Sequence, residues 1–236
     1  MVAGKVAIVT GAGRGIGRAT AQLLLRSGMQ VALVARSEDE LRRAALEAAD
    51  GNGRALVVPA DVSDERQVER AVRHTLEELG RVDILVNNAA IGDWCPVESY
   101  SLERWDRLMA VNLRGVFLFA RAVIPIMRRQ AVGHIVNLSS GAGRRGLKNR
   151  AAYSASKFGV MGFSEALALE VSEFGIKVTA VLPGEVATGF TGHYPPDVPR
   201  PDPQMALSPE AVAESILAVV ATGPRTRIAD LAIRPL

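Results

Sequence analysis

Residues 5–17 read KVAIVTGAGRGIG: an apolar, β-branched run over Lys5–Thr10 breaks into a glycine-rich turn, and a helical pattern follows over Ile16–Ser27. Strand, tight turn and helix in that order form the opening unit of a parallel α/β sheet. Glycines at 11, 15 and 17 permit a sharp turn and a close approach of backbone amides to a pyrophosphate at the helix N-terminus. The spacing is G-x-x-x-G-x-G, because Ile16 occupies the sixth position counted from Gly11.

The same alternation continues along the chain. Further strands are expected at Gln30–Ala35, Ala55–Pro59, Val82–Asn87, Gly133–Ser139, Lys177–Leu182 and Arg227–Ile233. Helical patterns lie between them at Glu38–Ala49, Asp64–Leu79, Leu102–Arg129, Tyr153–Phe174 and Pro209–Thr222. Strands apolar along their whole length are covered on both faces, so the expected fold is α/β: a doubly wound, Rossmann-type parallel sheet of about seven strands with helices on both sides. No linker or composition break divides residues 1–236, which read as one domain. Pro125 predicts a kink or early end in the fourth helical pattern. The segment 189–207 holds Pro195, Pro196, Pro199, Pro201 and Pro203 and reads as a loop that covers substrate beyond a strand's carboxyl end.

Composition narrows the function classes. A formal charge of +3 over 236 residues, with no dense Lys/Arg block, points away from nucleic acid. No uninterrupted apolar run of about 18 residues suggests a membrane span, and MVAGKVAIVTGAG lacks a signal-peptide pattern. The single cysteine, Cys95, excludes an internal disulfide, so the expected location is the cytoplasm. His74, His134 and His193 are scattered, and no catalytic metal is expected. Cys95 itself reads as an incidental thiol, Trp94 as a pocket wall and Trp105 as core packing.

In NAD-binding versions of this fold an acid closes the second strand and bonds the ribose 2′-hydroxyl. Here Ala35 stands in that place, followed by Arg36 and Ser37, while Arg14 adds a second guanidinium from the glycine turn. Two arginines suit a 2′-phosphate, so NADP is expected over NAD. Asp61, followed by Val62, closes the third strand. Its carboxylate either bonds the adenine amino group or helps to start the next helix, whose expected cap is Ser63.

The chemistry is concentrated in Ser140 and in AAYSASKFGVMGF, residues 151–163. Tyr153 and Lys157 are four apart and share a helix face. A phenol of pKa about 10 is a sluggish acid at neutral pH, and a nearby ammonium is expected to draw it towards working pH. Alternation puts Ser139 and Ser140 on opposite faces of their strand, and the residues alone leave either as the hydroxyl that grips a carbonyl.

TGAGRGIG, the NNAA at 87–90, Asn112, Ser140, the Tyr153/Lys157 pair and PGEVAT at 183–188 occur in one order, and together they resemble the short-chain dehydrogenase/reductase family. The resemblance runs from about Lys5 to Thr188 and resumes in the last helix and strand. It selects Ser140 as the residue that hydrogen-bonds the substrate carbonyl and Tyr153 as the proton carrier. It implies that Lys157 holds the nicotinamide ribose and favours the phenolate, and that Asn112 anchors a water. The implied cofactor shell comprises Gly11, Arg14, Gly15, Ile16, Gly17, Arg36, Ser37, Asp61 and Val62. Asn88, Ala89 and Ala90 would lie at the adenosine ribose, with Tyr153, Lys157, Pro183, Gly184, Val186 and Thr188 at the nicotinamide. Ala90 departs from the family's glycine, and its methyl costs something if the turn needs positive φ.

The expected reaction is an NADP(H)-dependent interconversion of a small ketone or aldehyde and its alcohol. The alternatives are a 3-oxoacyl thioester (acyl-carrier-protein) reductase and, outside enzymology, an NADP-sensing binding module. The ending RIADLAIRPL lacks the Gly-Gly close typical of acyl-carrier-protein ketoreductases. Arg144, Arg145, Lys148 and Arg150 follow Ser140 and either meet an anionic substrate group or form a solvated cluster. The helical patterns at 102–129 and 153–174 are apolar on more than one face, which together with the resemblance predicts a homodimer or homotetramer.

Overall fold

The computed structural model describes residues 2–49, 51–190 and 205–235. Seven parallel strands form one sheet in the order β3-β2-β1-β4-β5-β6-β7. They are β1 Val6–Thr10, β2 Gln30–Ala35, β3 Ala55–Pro59, β4 Ile84–Asn87, β5 Gly133–Leu138, β6 Ile176–Pro183 and β7 Asp230–Ile233. The helices are α1 Gly15–Arg26, α2 Glu38–Leu46, α3 Glu65–Leu79, α4 Leu102–Met109, α5 Gly115–Gln130, α6 Ala151–Val171 and α7 Pro209–Val220. Element types and order agree with the sequence expectation, and most ends shift by only a few residues.

The two-residue side-chain period sorts the strands into two cores. Ile8, Ala32, Val34, Leu85, Ile135 and Val178 point to one face and pack with Val123 and Met127 of α5 and Leu167 and Val171 of α6. Their neighbours Ala7, Val9, Val31, Leu33, Ile84, Val86 and Val136 point to the other and pack with Leu24 and Leu25 of α1, Leu41 of α2 and Ile216 of α7. Burial on both sides explains why these strands show no polar alternation.

Three expectations are corrected. The helix containing Pro125 neither ends nor breaks there; it continues to Gln130, where Ala131 closes it at φ 52°. Pro125 lies on the exposed side, so the carbonyl it orphans reaches water, while Val123, Ile126 and Met127 fix the inner face. The irregularity sits earlier, at a π-helical turn over Ala110–Arg114. The cap of α3 is Asp64, which accepts the Gln67 amide at 3.0 Å, rather than Ser63. Trp105 is 37% exposed on α4 and not a core residue.

The rod from Leu102 to Gln130 has a mean hydropathy of 1.5 over its most apolar 18 residues, enough by length and composition to cross a bilayer. Half of that window is buried inside the protein, as suits a core helix covering a sheet. Of the loop expected at 189–207, residues 191–204 lie outside the described residues.

β1 stands between β2 and β4, where the winding reverses direction. The carboxyl ends of the strands on either side of that reversal form a crevice.

Candidate active site

That crevice is a cleft of about 1280 Å³ at the strands' carboxyl ends. Every expected cofactor residue lines it except Gly17, and of the four expected catalytic residues only Asn112 does not reach it. Both stand just behind the wall. A side chain at Gly17 would place its Cβ 2.2 Å from the Gly11 carbonyl oxygen, so glycine there is required by the turn closing on itself. Gly15 has φ +54°, and its missing side chain leaves room for Thr188. α1 starts with Arg14 in an extended conformation, with no side-chain cap and no acid in its first turn. Its first amides are therefore open towards the cleft, where an anion can take them.

Thr10 and Asn88 weld the glycine turn to β4. The Thr10 hydroxyl accepts the Asn88 and Ala89 amides, both at 3.0 Å, and the Asn88 side-chain amide donates to the Thr10 carbonyl at 2.9 Å. Asn87 lies deeper and bonds Asn137 across the β4–β5 boundary at 2.9 Å. Ala90 is not among the positive-φ residues, so its methyl imposes no backbone strain.

At the end beside the carboxyl terminus of β2, Arg14 and Arg36 border the cleft, and neither guanidinium has a partner among the described residues. The Ser37 hydroxyl caps α2 by accepting the Glu40 amide at 3.3 Å. Glu40, which the sequence reading did not single out, also lines this end, its carboxylate lying against Gly13. Asp61 accepts the Ser63 amide and hydroxyl and pairs with Arg107 at 3.2 Å. Burial raises the Asp61 pKa, but the Ser63 bonds and Arg107 outweigh it and leave it below the ordinary carboxylate value.

At the other end Tyr153 and Lys157, both on α6, are buried at 9% and 3% exposure. The Lys157 ammonium donates to the Leu138 carbonyl at 2.8 Å and lies 5.7 Å from the Tyr153 ring centroid. Burial lowers its pKa to about 8. The expected lowering of the phenol does not occur here. Burial dominates and leaves Tyr153 above its ordinary value, against downward pulls from the Ser140 side chain and the Arg150 charge. Ser139 and Ser140 both border the cleft, but the Ser139 hydroxyl is committed, donating to the Lys157 carbonyl at 3.0 Å, while the Ser140 side chain lies beside the phenol.

Asn112, fully buried in the π-helical turn, exchanges two hydrogen bonds with the Ile91 backbone at 2.8 and 2.9 Å and donates to Ser156 at 3.2 Å. Its side chain is thereby spent on joining the π turn to the β4 loop and to α6. A π turn inside a helix recurs at functional sites, and no sequence period announces it.

The loop after Ser140 is held from two directions. Arg144 pairs with Asp230 of β7, and the Asn149 carbonyl, at a residue with φ +59°, accepts the Cys95 amide at 2.7 Å. Cys95 is thus buried in the loop's anchorage, with its sulfur accepting from Arg104 at 3.6 Å. Trp94 forms the pocket wall expected of it, with the Arg150 guanidinium 3.0 Å above its ring. Arg145 and Lys148 border the cleft without an ion pair among the described residues. Phe190 adds an aromatic face 6.2 Å from the Tyr153 ring. Asp93 is held by Arg104 and Tyr100. Arg234, from the chain's far end, completes the rim.

The profile of the short chain dehydrogenase family matches residues 5–198. Levodione reductase of Leifsonia aquatica is 42% identical over 188 residues, 78% of this chain and 70% of its own. A crystal structure of levodione reductase superposes with a TM-score of 0.90 at 34% identity, covering 98% of this chain and 96% of the other. An alcohol dehydrogenase from the archaeon Thermococcus sibiricus, complexed with 5-hydroxy-NADP, gives 0.90 at 30% identity over 98% and 97%. A 3-ketoacyl-(acyl-carrier-protein) reductase from Brucella melitensis, complexed with NADH, gives 0.88 at 33% identity over 99% and 98%.

Proposed function

Because the chain belongs to the short chain dehydrogenase family, we propose that it is an NADP(H)-dependent oxidoreductase that interconverts a small ketone or aldehyde and its alcohol. The observation that carries the catalytic assignment is the burial of Tyr153 beside Ser140 at one end of a cleft whose other end is a glycine turn with open amides. A nicotinamide dinucleotide supplies the hydride when bound; the glycine turn fits its pyrophosphate. Ser140 donates a hydrogen bond to the carbonyl oxygen, and Tyr153 delivers the proton that the oxygen gains as the carbon becomes a carbinol. Lys157 holds positive charge below the reacting groups, and Phe190 and Trp94 restrict water. Acetone-sized and larger ketones, with a 3-oxoacyl thioester as one arm, assayed against NADPH oxidation, test the assignment. No turnover of any of them would reject it.

The preference for NADP rests on Arg14 and Arg36, unpartnered at the cleft's adenosine end, with Ala35 in place of an acid. Each guanidinium can form a charge-assisted fork with a 2′-phosphate, worth roughly 1.5–3 kcal/mol. Among the described residues, Glu40 and Asp61 are the carboxylates at that end, and Asp61 is paired with Arg107. Changing Ala35 to Asp together with Arg36→Ala should lower the NADPH-to-NADH ratio of kcat/KM about 100-fold or more. A wild-type enzyme that uses NADH as well as NADPH would reject the preference.

We also propose a homodimer or homotetramer. Phe117 on α5 and Phe158 and Leu169 on α6 are exposed at 43%, 46% and 73%, an apolar face that a second copy would cover. Light scattering should give twice or four times 25.1 kDa, and a mass of one chain would overturn this. With one cysteine, and that one buried, the cytoplasm is the compartment proposed.

A further inference from the structure

The geometry points to a carboxylate on the substrate, held by Arg234: the ketone is a short oxo acid and the alcohol the matching hydroxy acid. This rests on the carbonyl-reductase reading above and narrows its substrate class.

Arg234 follows β7, the sheet's edge strand, and no local motif marks it. Its side chain turns back over the site. Nη1 donates to the Leu182 carbonyl at 3.2 Å and to the Ile233 carbonyl at 3.3 Å, which fixes the head of the side chain. A Cβ built on Gly141 would lie 3.6 Å from both terminal guanidinium nitrogens, so the cation rests against the residue directly after Ser140. Nη2 makes no hydrogen bond and the group has no carboxylate partner among the described residues. A guanidinium anchored through one nitrogen, with the other facing a cleft, is set to receive an oxyanion.

The surrounding charges favour the same ligand. Arg144, part of the cluster expected from sequence, is taken by Asp230, and Arg150 lies over Trp94. Arg145 and Lys148 remain at the rim without ion pairs among the described residues. Of the carboxylates bordering this end among the described residues, Asp93 is bound by Arg104, which leaves Glu185 against several cations. A cleft walled by Trp94 and Leu147 focuses that positive field on an entering anion. Because the Arg234 guanidinium lies beside the residue after Ser140, the carboxylate it binds lies close to the carbonyl that Ser140 grips. That proximity selects 2- and 3-oxo acids over long-chain ones.

The test compares acetoacetate with its neutral ester, ethyl acetoacetate, using NADPH with the wild type, Arg234→Gln and Arg234→Lys. Wild type should prefer the acid in kcat/KM. In Arg234→Gln the acid-to-ester ratio should fall about 10- to 100-fold, the loss of one charge-assisted pair, carried by KM rather than kcat. Arg234→Lys should restore part of it. An unchanged ratio, or an equal fall for both ketones, overturns the assignment. A second readout separates this inference from the reading beneath it: acetoacetate titrated into the NADP⁺-loaded protein, followed by Trp94 fluorescence. Binding that needs Arg234 without turnover of either ketone would sink the reductase reading and leave the carboxylate site standing. Absence of both binding and turnover would overturn both.

Discussion

Replacing Tyr153 with Phe is expected to lower kcat by about 10³-fold, within the 10²–10⁴ range for loss of one general acid, while the dissociation constant for NADPH changes less than about twofold. The reason lies in what the substitution leaves intact. The ring sits among Leu108, Ala142 and Ala152 and faces Phe190, and Phe preserves all of that packing. Only the hydroxyl beside Ser140 disappears. Burial keeps the phenol's pKa above its usual value, so at neutral pH the side chain carries its proton and is poised to reduce a carbonyl. The reverse oxidation needs the phenolate and should accelerate with alkaline pH. Kinetics with a saturating ketone and a fluorescence titration of NADPH check both halves. A variant within tenfold of wild-type kcat would mean that another group moves the proton, and the assignment would be lost.

The fold was legible because its strands are apolar end to end, which only a sheet covered on both faces allows, and because each helix separates two such runs. The glycine turn was equally legible: Gly11, Gly15 and Gly17 are dictated by local geometry, and local turns leave local marks. What the sequence hid was non-local. Glu40 reaches Gly13 and Arg107 reaches Asp61 only after two elements pack together. Arg234 meets Gly141 across 93 residues of chain (234 − 141 = 93) through parallel pairing of β7 with β6. Pro125 misled because its usual penalty assumes a buried carbonyl, whereas here the bond is lost on the side facing water. The phenol's pKa misled for a related reason. The spacing of Tyr153 and Lys157 announces a cation nearby, but burial is a property of the whole fold and raises the phenol's pKa, while the opposing pulls come from Ser140 and Arg150.

Lys157→Met should give the second large effect, and it runs in two directions at once. Turnover should fall roughly 10²-fold or more, because the variant removes the cation beneath the reacting groups. Stability at pH 7 should rise by about 1–2 kcal/mol. Lys157 is 3% exposed, its ammonium meets one carbonyl and no carboxylate among the described residues, and its pKa drops from 10.5 to about 8. That shift means that holding the charge inside costs up to about 3 kcal/mol, partly offset in the comparison by the lost bond to Leu138. The sign follows from proton counts. Between pH 8 and 10.5 the unfolded lysine binds more protons than the folded one, so wild-type stability climbs with pH over that window. The cost is fully present below pH 8, where both states are charged, and gone above 10.5. The advantage of the variant should therefore be greatest at pH 7 and shrink by pH 10, which denaturant titrations of both proteins at the two pH values would reveal. A buried cation retained against its own cost is what an active site, not a core, requires. A variant less stable than wild type at pH 7, or one that still turns over at the wild-type rate, would show that this lysine is there for packing and that the proton chemistry lies elsewhere.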